Sequence, residues 1–119
     1  MDQDLYVLGG AQTDFARNWA AEGVGLFEVL TEVLPATFTD ARVAPGDVEV
    51  IHVGNLAAEM FAGQAQLGGL VVAAEPQLAG LPSTRHEAAC ASGSTAIVAA
   101  GADIASGRYD VALVVGIEQ

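Results

Sequence analysis

The sequence is short of cysteine, of basic residues and of long apolar runs, and each shortage excludes a class of protein. A single cysteine, Cys90, rules out an internal disulfide framework and is typical of a reducing compartment, so we expect a cytoplasmic protein. No run of about 18 apolar residues occurs, so no membrane span is expected. The opening residues also lack the charged and apolar pattern of a secretory signal.

Basic residues are the second shortage. Lys and Arg number 4 together against 15 Asp and Glu, and the formal net charge is −11. Such an excess of negative charge repels phosphate groups, so we expect neither nucleic acid nor an anionic membrane as a partner. The sequence also lacks a P-loop, a dinucleotide-binding Gly-x-Gly-x-x-Gly and the His/Cys spacing of a metal site, so we expect no metal ion.

The remaining composition is sufficient for one packed domain. Of 119 residues, 52% are hydrophobic, whereas only 6% are aromatic. A chain of this length forms at most one small domain, and its many Gly and Ala residues favour close packing of helices and strands.

Short apolar runs alternate with helical patterns along the chain. The runs predict strands, and apolar residues spaced three and four apart predict helices. The predicted strands are 5–8, 48–53, 83–87 and 109–115, and the predicted helices are 26–41, 64–74 and 91–106. Pro35 predicts a kink or an early end near Leu34 in the first helix. This order favours an α/β fold with a parallel sheet, and residues 13–25 and 56–63 are predicted to be loops.

Two features of the predicted elements bear on completeness and on catalysis. The last helix is apolar nearly all round except for Asp103, which predicts burial on every side and requires more protein than this chain supplies. His52 lies on a predicted strand, where a packed or hydrogen-bonded histidine is more common than a catalytic one.

Cys90 lies where the third predicted strand gives way to the third predicted helix. The first turn of a helix presents unpaired N–H groups and the positive end of the macrodipole, which favour a thiolate, and the thiolate is the nucleophile. Ser92 and Gly93 keep the turn small, so that a substrate carbonyl could approach the sulfur. The alternative is a small buried cysteine, the commonest role of a lone one.

An ordered set of motifs resembles the thiolase family over nearly the whole chain. The set consists of Gln12-Thr13-Asp14-Phe15-Ala16-Arg17, Val53-Gly54-Asn55, Gly63-Gln64, Gly80-Leu81-Pro82, Cys90-Ala91-Ser92-Gly93, Gly107 and Gly116-Ile117-Glu118. The Glu-Ala-Ala-Cys-Ala-Ser-Gly form of the cysteine turn is similar to that of the archaeal and sterol-carrier-type branch.

The resemblance implies a fold and a domain. The fold would be a thiolase-like α/β half-fold, with a parallel-dominated sheet and helices on both faces, and part of a five-layer αβαβα arrangement. Residues 1–119 would form an amino-terminal thiolase-like domain that is incomplete, because the carboxyl-terminal half is absent.

The resemblance also implies a reaction. Cys90 would be the nucleophile that carries an acyl-thioester intermediate in transfer between coenzyme A thioesters, either thiolytic cleavage of a 3-ketoacyl-CoA or the reverse Claisen condensation, as part of lipid metabolism. Coenzyme A thioesters would be substrates, with no permanently bound cofactor. The family's general bases lie later in its chain, so His52 and His86 are not expected to replace them.

The implied partners are a second copy and a covering half. We expect a homodimer or higher oligomer, paired through the third predicted strand, and a carboxyl-terminal half or partner chain, without which this chain would be inactive. Two alternatives stay open: a ketoacyl or hydroxymethylglutaryl synthase-type condensing enzyme, and a noncatalytic thiolase-like subunit. Cys-x-Gly and Gly-His motifs in downstream sequence or in a second chain would favour the catalytic interpretation.

Overall fold

The fold is built on a small parallel sheet with helices packed against it. The computed structural model describes residues 3–119. The elements in chain order are helix α1 (Leu26–Ala41), strand β1 (Val50–Gly54), helix α2 (Ala58–Ala62), helix α3 (Leu67–Ala74), strand β2 (Ser83–His86), helix α4 (Ser92–Ala105) and strand β3 (Ala112–Gly116). Within the described residues the strand order is β2-β1-β3, and both pairs are parallel.

Helices cover both faces of the sheet, as the sequence predicted. Side chains alternate along β1, so Ile51 and Val53 pack on one face into the core that α1 and α3 help to form. His52 points to the other face, where it contacts Asp103 of α4. The central strand is buried along its whole length because it is covered from both sides.

The first helix forms where the sequence predicted, but Pro35 does not end it. Helix α1 continues through Pro35 to Ala41, so the early end near Leu34, one of the two effects expected of Pro35, is wrong. Proline removes one backbone donor, but Leu34 and Phe38 on either side of it are buried in the same core and hold both halves in place. Arg42, the residue directly after the helix, caps it in a left-handed conformation with a φ of 56°.

The predicted strand at residues 5–8 is also wrong. Leu5, Tyr6, Val7 and Leu8 are exposed and pair with no strand of the described sheet. A cleft of about 570 Å³ lies between this segment, β3 and α4. The apolar pattern was suited to a strand, but a strand forms only where a neighbouring edge lies within hydrogen-bonding distance.

Smaller differences concern short elements. Residues 56–63 were predicted to be a loop, but they include the five-residue helix α2. A 3-10 turn, Pro76–Leu78, follows the predicted end of α3. Such elements are too short to produce a periodic apolar pattern, and contacts elsewhere in the fold stabilise them.

Helix α4 packs on the sheet through small side chains. Ala96 and Ala100 are buried on the face toward the sheet, whereas Ile97 and Val98 are 62% and 71% exposed. Nothing within residues 3–119 covers this outer apolar face, so the predicted burial of the helix on every side is not found among the described residues. No helix among the described residues is long and apolar enough to cross a membrane.

Candidate active site

The carboxyl ends of the three strands bring the motif residues to one edge of the sheet. Asn55 follows β1, Glu118 lies two residues after β3, and β2 leads into residues 87–91, named here the Cys90 turn. The N–H of Asn55 donates to the His86 carbonyl at 3.1 Å, and that of Ile117 donates to the Gly54 carbonyl at 3.1 Å. The ends of parallel strands commonly form the site in α/β folds, and Cys90 lies at this edge.

The Cys90 turn is held in an unusual backbone conformation. Ala89, directly before the cysteine, has a φ of +49°, which is left-handed and uncommon for a residue with a β-carbon. The Glu87 carboxylate accepts the Ala89 N–H at 2.6 Å and supports this conformation. Strained backbone of this kind costs about 1–3 kcal/mol and is typical of functional sites.

Ser92 closes the turn. Its hydroxyl accepts the Ala88 N–H at 2.9 Å and donates to the Ala89 carbonyl at 2.7 Å. The side chain is buried, so these two bonds satisfy a hydroxyl that would otherwise destabilise the fold. The serine of the Cys-x-Ser-Gly motif therefore has a structural role in this chain.

Gly54 lets the first turn of α4 approach the end of β1. A β-carbon at Gly54 would lie 2.7 Å from the Cα and the N of Gly93, both backbone atoms that cannot move aside. A side chain at this position would push the two elements apart. The glycine of the Val-Gly-Asn motif therefore allows the short distance between the end of β1 and the start of α4.

Free backbone donors surround the cysteine. Cys90 is exposed, and α4 begins at Ser92, two residues after it and one residue later than the sequence predicted. The N–H groups of Gly93 and Ser94 have no hydrogen-bond partner within residues 3–119, whereas those of Ala91 and Ser92 bond inside the turn. Such fixed, unpaired donors are suited to stabilise negative charge on an oxygen close to the sulfur.

A cleft of about 790 Å³ opens above Cys90. Its other wall is the segment that follows residue 10, including Thr13, Phe15, Arg17 and Trp19. The sequence predicted residues 13–25 to be a loop, and the described chain has neither helix nor strand there. The cleft is large enough for an acyl group and part of its carrier.

The charge of Arg17 on the cleft wall is already compensated. Its guanidinium lies 3.7 Å above the Trp19 ring, bonds to Glu22 at 2.7 Å and reaches Glu32 at 3.4 Å. The hydrogen bond to Arg17 lowers the pKa of the Glu22 carboxyl. This arginine is therefore a structural link between the loop and α1 rather than a free cation for phosphate.

Residue patterns alone did not predict a polar network next to the site. The Asn55 side chain is fully buried and donates to the Ile117 carbonyl at 2.6 Å and to Glu118 at 3.1 Å. Glu118 also accepts the Leu56 N–H at 2.5 Å, and Arg85 pairs with Glu59 and bonds to the Leu56 carbonyl at 2.9 Å. The resemblance pointed to Asn55 and Glu118 as motif residues, but their contact depends on strand order.

The two histidines contact each other instead of Cys90. His52 Nδ1 lies 2.8 Å from His86 Nε2, and His52 Nε2 lies 2.7 Å from an Asp103 carboxylate oxygen. The expectation that His52 is a hydrogen-bonded strand residue is confirmed. One sequence signal could have found the network, because Asp103 is the only charged residue in an otherwise apolar helix, and a partly buried carboxylate is stabilised by a hydrogen-bond partner. No group of three or more His, Cys, Asp or Glu residues in the described part of the chain could hold a metal ion.

Comparison with known proteins identifies relatives over nearly the whole chain. The family model described as thiolase, N-terminal domain, matches residues 5–119. An acetyl-CoA acetyltransferase of Methanothermobacter thermautotrophicus is 35% identical over 117 residues, which are 98% of this chain and 30% of the relative. An acetyl-CoA acetyltransferase of Methanocaldococcus jannaschii is 37% identical over 118 residues, which are 98% of this chain and 29% of the relative.

A third relative has a different name. The non-specific lipid-transfer protein-like 2 of Caenorhabditis elegans is 28% identical over 115 residues, which are 97% of this chain and 26% of the relative. The two archaeal relatives and this one agree with the resemblance to the archaeal and sterol-carrier-type branch. The chain spans only 26–30% of the length of these three curated relatives.

Proposed function

This chain belongs to the thiolase family, and we propose that the complete protein transfers acyl groups between coenzyme A thioesters through an acyl-enzyme on Cys90. The observation that carries the proposal is the placement of Cys90. The thiol is exposed in a strained turn before a helix, next to unpaired N–H groups, and faces a cleft of about 790 Å³.

The first half-reaction would form a thioester on the protein. The Cys90 thiolate attacks the carbonyl carbon of an acyl-CoA, and the carbonyl oxygen becomes an oxyanion. The N–H of Cys90 is the first candidate donor to that oxyanion, with Gly93 and Ser94 close by in sequence. The bond from carbon to the coenzyme A sulfur then breaks, and coenzyme A leaves as a thiolate that takes up a proton.

The second half-reaction would release the acyl group. Either the thiolate of a coenzyme A attacks the acyl-Cys90 carbonyl, or the carbanion of a second acyl-CoA attacks it and a 3-ketoacyl-CoA forms. In the first case a general base removes the thiol proton, and in the second it removes a proton from carbon. We propose that this base lies outside residues 1–119, because His52 and His86 bond to each other and His52 also bonds to Asp103.

The proposed setting follows from the same chemistry. A catalytic thiol must stay reduced, so a reducing compartment such as the cytoplasm suits the reaction. The reaction needs no permanently bound cofactor, because both acyl carriers are substrates.

Substitution of Cys90 tests the proposal. In the complete protein, Cys90→Ala is expected to lower acetoacetyl-CoA cleavage by at least about three orders of magnitude, because the acyl-enzyme cannot form. Thr39→Ala, an exposed change on α1, is the control and is expected to retain activity. Peptide mapping should find the acetyl group on Cys90 after brief mixing with acetyl-CoA, and acetyl-CoA should slow alkylation of this thiol.

Other outcomes would favour the alternatives. Retained turnover in Cys90→Ala would contradict the proposal. Acylation of Cys90 without either thiolysis or condensation would favour a noncatalytic thiolase-like subunit. Irreversible condensation without thiolysis would favour a synthase-type condensing enzyme.

A further inference from the structure

A chain of hydrogen bonds joins three elements close to the Cys90 turn. His52 lies on β1, His86 is the last residue of β2, and Asp103 lies in the last turn of α4. The Asp103 carboxylate is 2.7 Å from His52 Nε2, and His52 Nδ1 is 2.8 Å from His86 Nε2. None of the three lines the cleft above Cys90.

The acceptors fix where the protons lie. An ionised carboxylate can only accept, so His52 Nε2 carries a hydrogen and donates to Asp103. In the neutral imidazole the other nitrogen, Nδ1, is then an acceptor, and His86 Nε2 must donate to it. Both nitrogens of His52 are satisfied in this state, as the burial of that side chain requires.

This arrangement accepts one additional proton but not two. A proton on His86 Nδ1 leaves the Nε2–H bond intact, and that nitrogen has no protein partner within residues 3–119. A second proton, on His52 Nδ1, would place two N–H groups against each other across 2.8 Å. The rings are also stacked, with centroids 5.0 Å apart, so two positive imidazoles would repel.

Within residues 3–119, His52 and Asp103 are the only charged groups that act on His86. In the strand register His52 lies between Thr84 of β2 and Val114 of β3, and Asp103 is its only charged neighbour from α4. Burial lowers the pKa of His86, the charge of His52 lowers it further, and Asp103 opposes both effects.

The residues Asp103 and His86 lie on the elements that hold the Cys90 turn at its two ends, and His52 on β1 bonds to both. The Cys90 turn is suspended between His86 at the end of β2 and Ser92 at the start of α4. The hydrogen-bonded side chains of Asp103, His52 and His86, named here the clamp, tie these two elements together through β1. Movement of β2 relative to α4 would move the turn that they hold.

We propose that the clamp positions the Cys90 turn, and that it holds only while its two imidazoles carry at most one additional proton. The three side chains act as positioning residues, because none touches the reacting atoms. This proposal rests on the proposed function only in taking Cys90 as the reactive thiol.

Imidazole titration tests the proton count. In the complete protein in which this chain occurs, NMR of labelled histidine is expected to show one proton entering the pair as pH falls. The second proton is expected to enter only as the signals of residues 87–91 shift. Two independent titrations near the ordinary value of about 6.5 would overturn the proposal.

Two substitutions at one position test the positioning role. His86→Leu removes the donor to His52, and we expect it to lower kcat roughly tenfold to hundredfold with little change in KM for the acyl-CoA. His86→Gln keeps an N–H donor but cannot titrate, so we expect it to restore most of the loss. Equal activity of the Leu and Gln variants, whether high or low, would overturn the proposal.

Alkylation of Cys90 supplies a readout that does not require turnover. Protonation of the thiolate alone lowers the rate about tenfold per pH unit. Below neutral pH, the alkylation rate of the unsubstituted protein is expected to fall more steeply than this. The alkylation rate of His86→Gln is expected to follow the slope for a single proton. Equal slopes would overturn the proposal even if His86→Leu failed to fold. Full activity of Cys90→Ala would overturn the proposed function, while the imidazole titration would still decide the proton count.

Discussion

At the scale of single residues, a few side chains and one glycine determine the conformation of the Cys90 turn and its position above β1. Ala89 holds a left-handed conformation that Glu87 supports, and Ser92 closes the turn with two bonds. Gly54 permits the contact between β1 and the start of α4. These residues place Cys90 without taking part in the reaction, so substitutions among them should separate stability from chemistry.

Gly54→Ala tests the close approach of strand and helix. The added β-carbon would lie 2.7 Å from Gly93 backbone atoms, and we expect a loss of about 1–3 kcal/mol in the free energy of unfolding together with a loss of activity. Gly46→Ala is the matched control, because a β-carbon there meets nothing within 4 Å. Urea unfolding of the complete protein measures both, and equal midpoints would contradict the contact.

His86 gives the stability of the protein a defined pH dependence. Burial lowers the pKa of its imidazole in the folded state, so the unfolded chain binds more protons as pH falls. Its contribution is fully present above the ordinary pKa of about 6.5 and is lost as pH falls from there toward the folded value. Urea midpoints should therefore decrease between about pH 7 and pH 5, and His86→Gln should reduce that decrease. An increase in the midpoint on acidification would contradict the direction of the shift.

The residue scale also shows how far the sequence could predict the site. Cys90 was predicted at a strand-to-helix junction because the apolar period changes there, a local signal. The pairing of His52 with Asp103 joins residues 51 positions apart and depends on which face of β1 meets α4. Strand order decides that contact, and no local pattern contains it.

At the scale of elements, the long periodic helix α1 was predicted well, whereas the pairing of residues 5–8 and the ends of the strands were not. Helix α1 has the predicted bounds because its apolar stripe fills one face over four turns. Residues 5–8 had a strand-like pattern but have no partner, since pairing is a property of two segments. The three described strands were predicted with shifts of up to three residues at their ends, where sequence patterns are least informative.

Strand β2 is at the edge of the sheet, and we propose that a second copy pairs with it. Within residues 3–119 only β1 bonds to it, and Thr84 is exposed. Unpaired edges readily accept another strand. Side-by-side pairing would bring the two copies of residue 84 close, so Thr84→Glu would place like charges together.

We therefore expect Thr84→Glu to weaken dimerisation of the complete protein. Light scattering during size-exclusion chromatography, over a range of concentrations, measures the mass. Thr39→Glu makes the same change at an exposed site on α1 and should leave the mass unchanged. If both variants keep the mass of the unsubstituted protein, pairing through β2 is wrong.

At the scale of the whole molecule, the chain exposes more surface than a compact domain of its mass. The accessible surface is 6955 Å², whereas a monomer of 12.1 kDa is expected to expose about 6,000 Å². The exposed apolar side chains include Val7, Phe15, Met60 and Val98. An excess of this size is comparable to what an interface covers.

The same surface leads to a prediction about residues 1–119 in isolation. Burial stabilises a fold by about 25 cal/mol per Å² of apolar area, so leaving one face uncovered loses several kcal/mol of stability. The free energy of unfolding of a whole domain is usually only ~5–15 kcal/mol. We expect the isolated chain to unfold without a cooperative transition, to bind a hydrophobic dye, and to lack acetoacetyl-CoA cleavage, because the proposed general bases lie outside it.

Replacing apolar side chains on the exposed face by polar ones separates the effect of the uncovered surface from the effect of the missing general bases. Ile97→Ser combined with Val98→Ser should reduce dye binding by the isolated chain, since these side chains form the outer face of α4. It should not produce activity, because no catalytic base is gained. In the complete protein the same pair should lower the melting temperature if another part of the protein packs on α4. A cooperative, monomeric melt with turnover from residues 1–119 alone would contradict both the uncovered face and the missing bases.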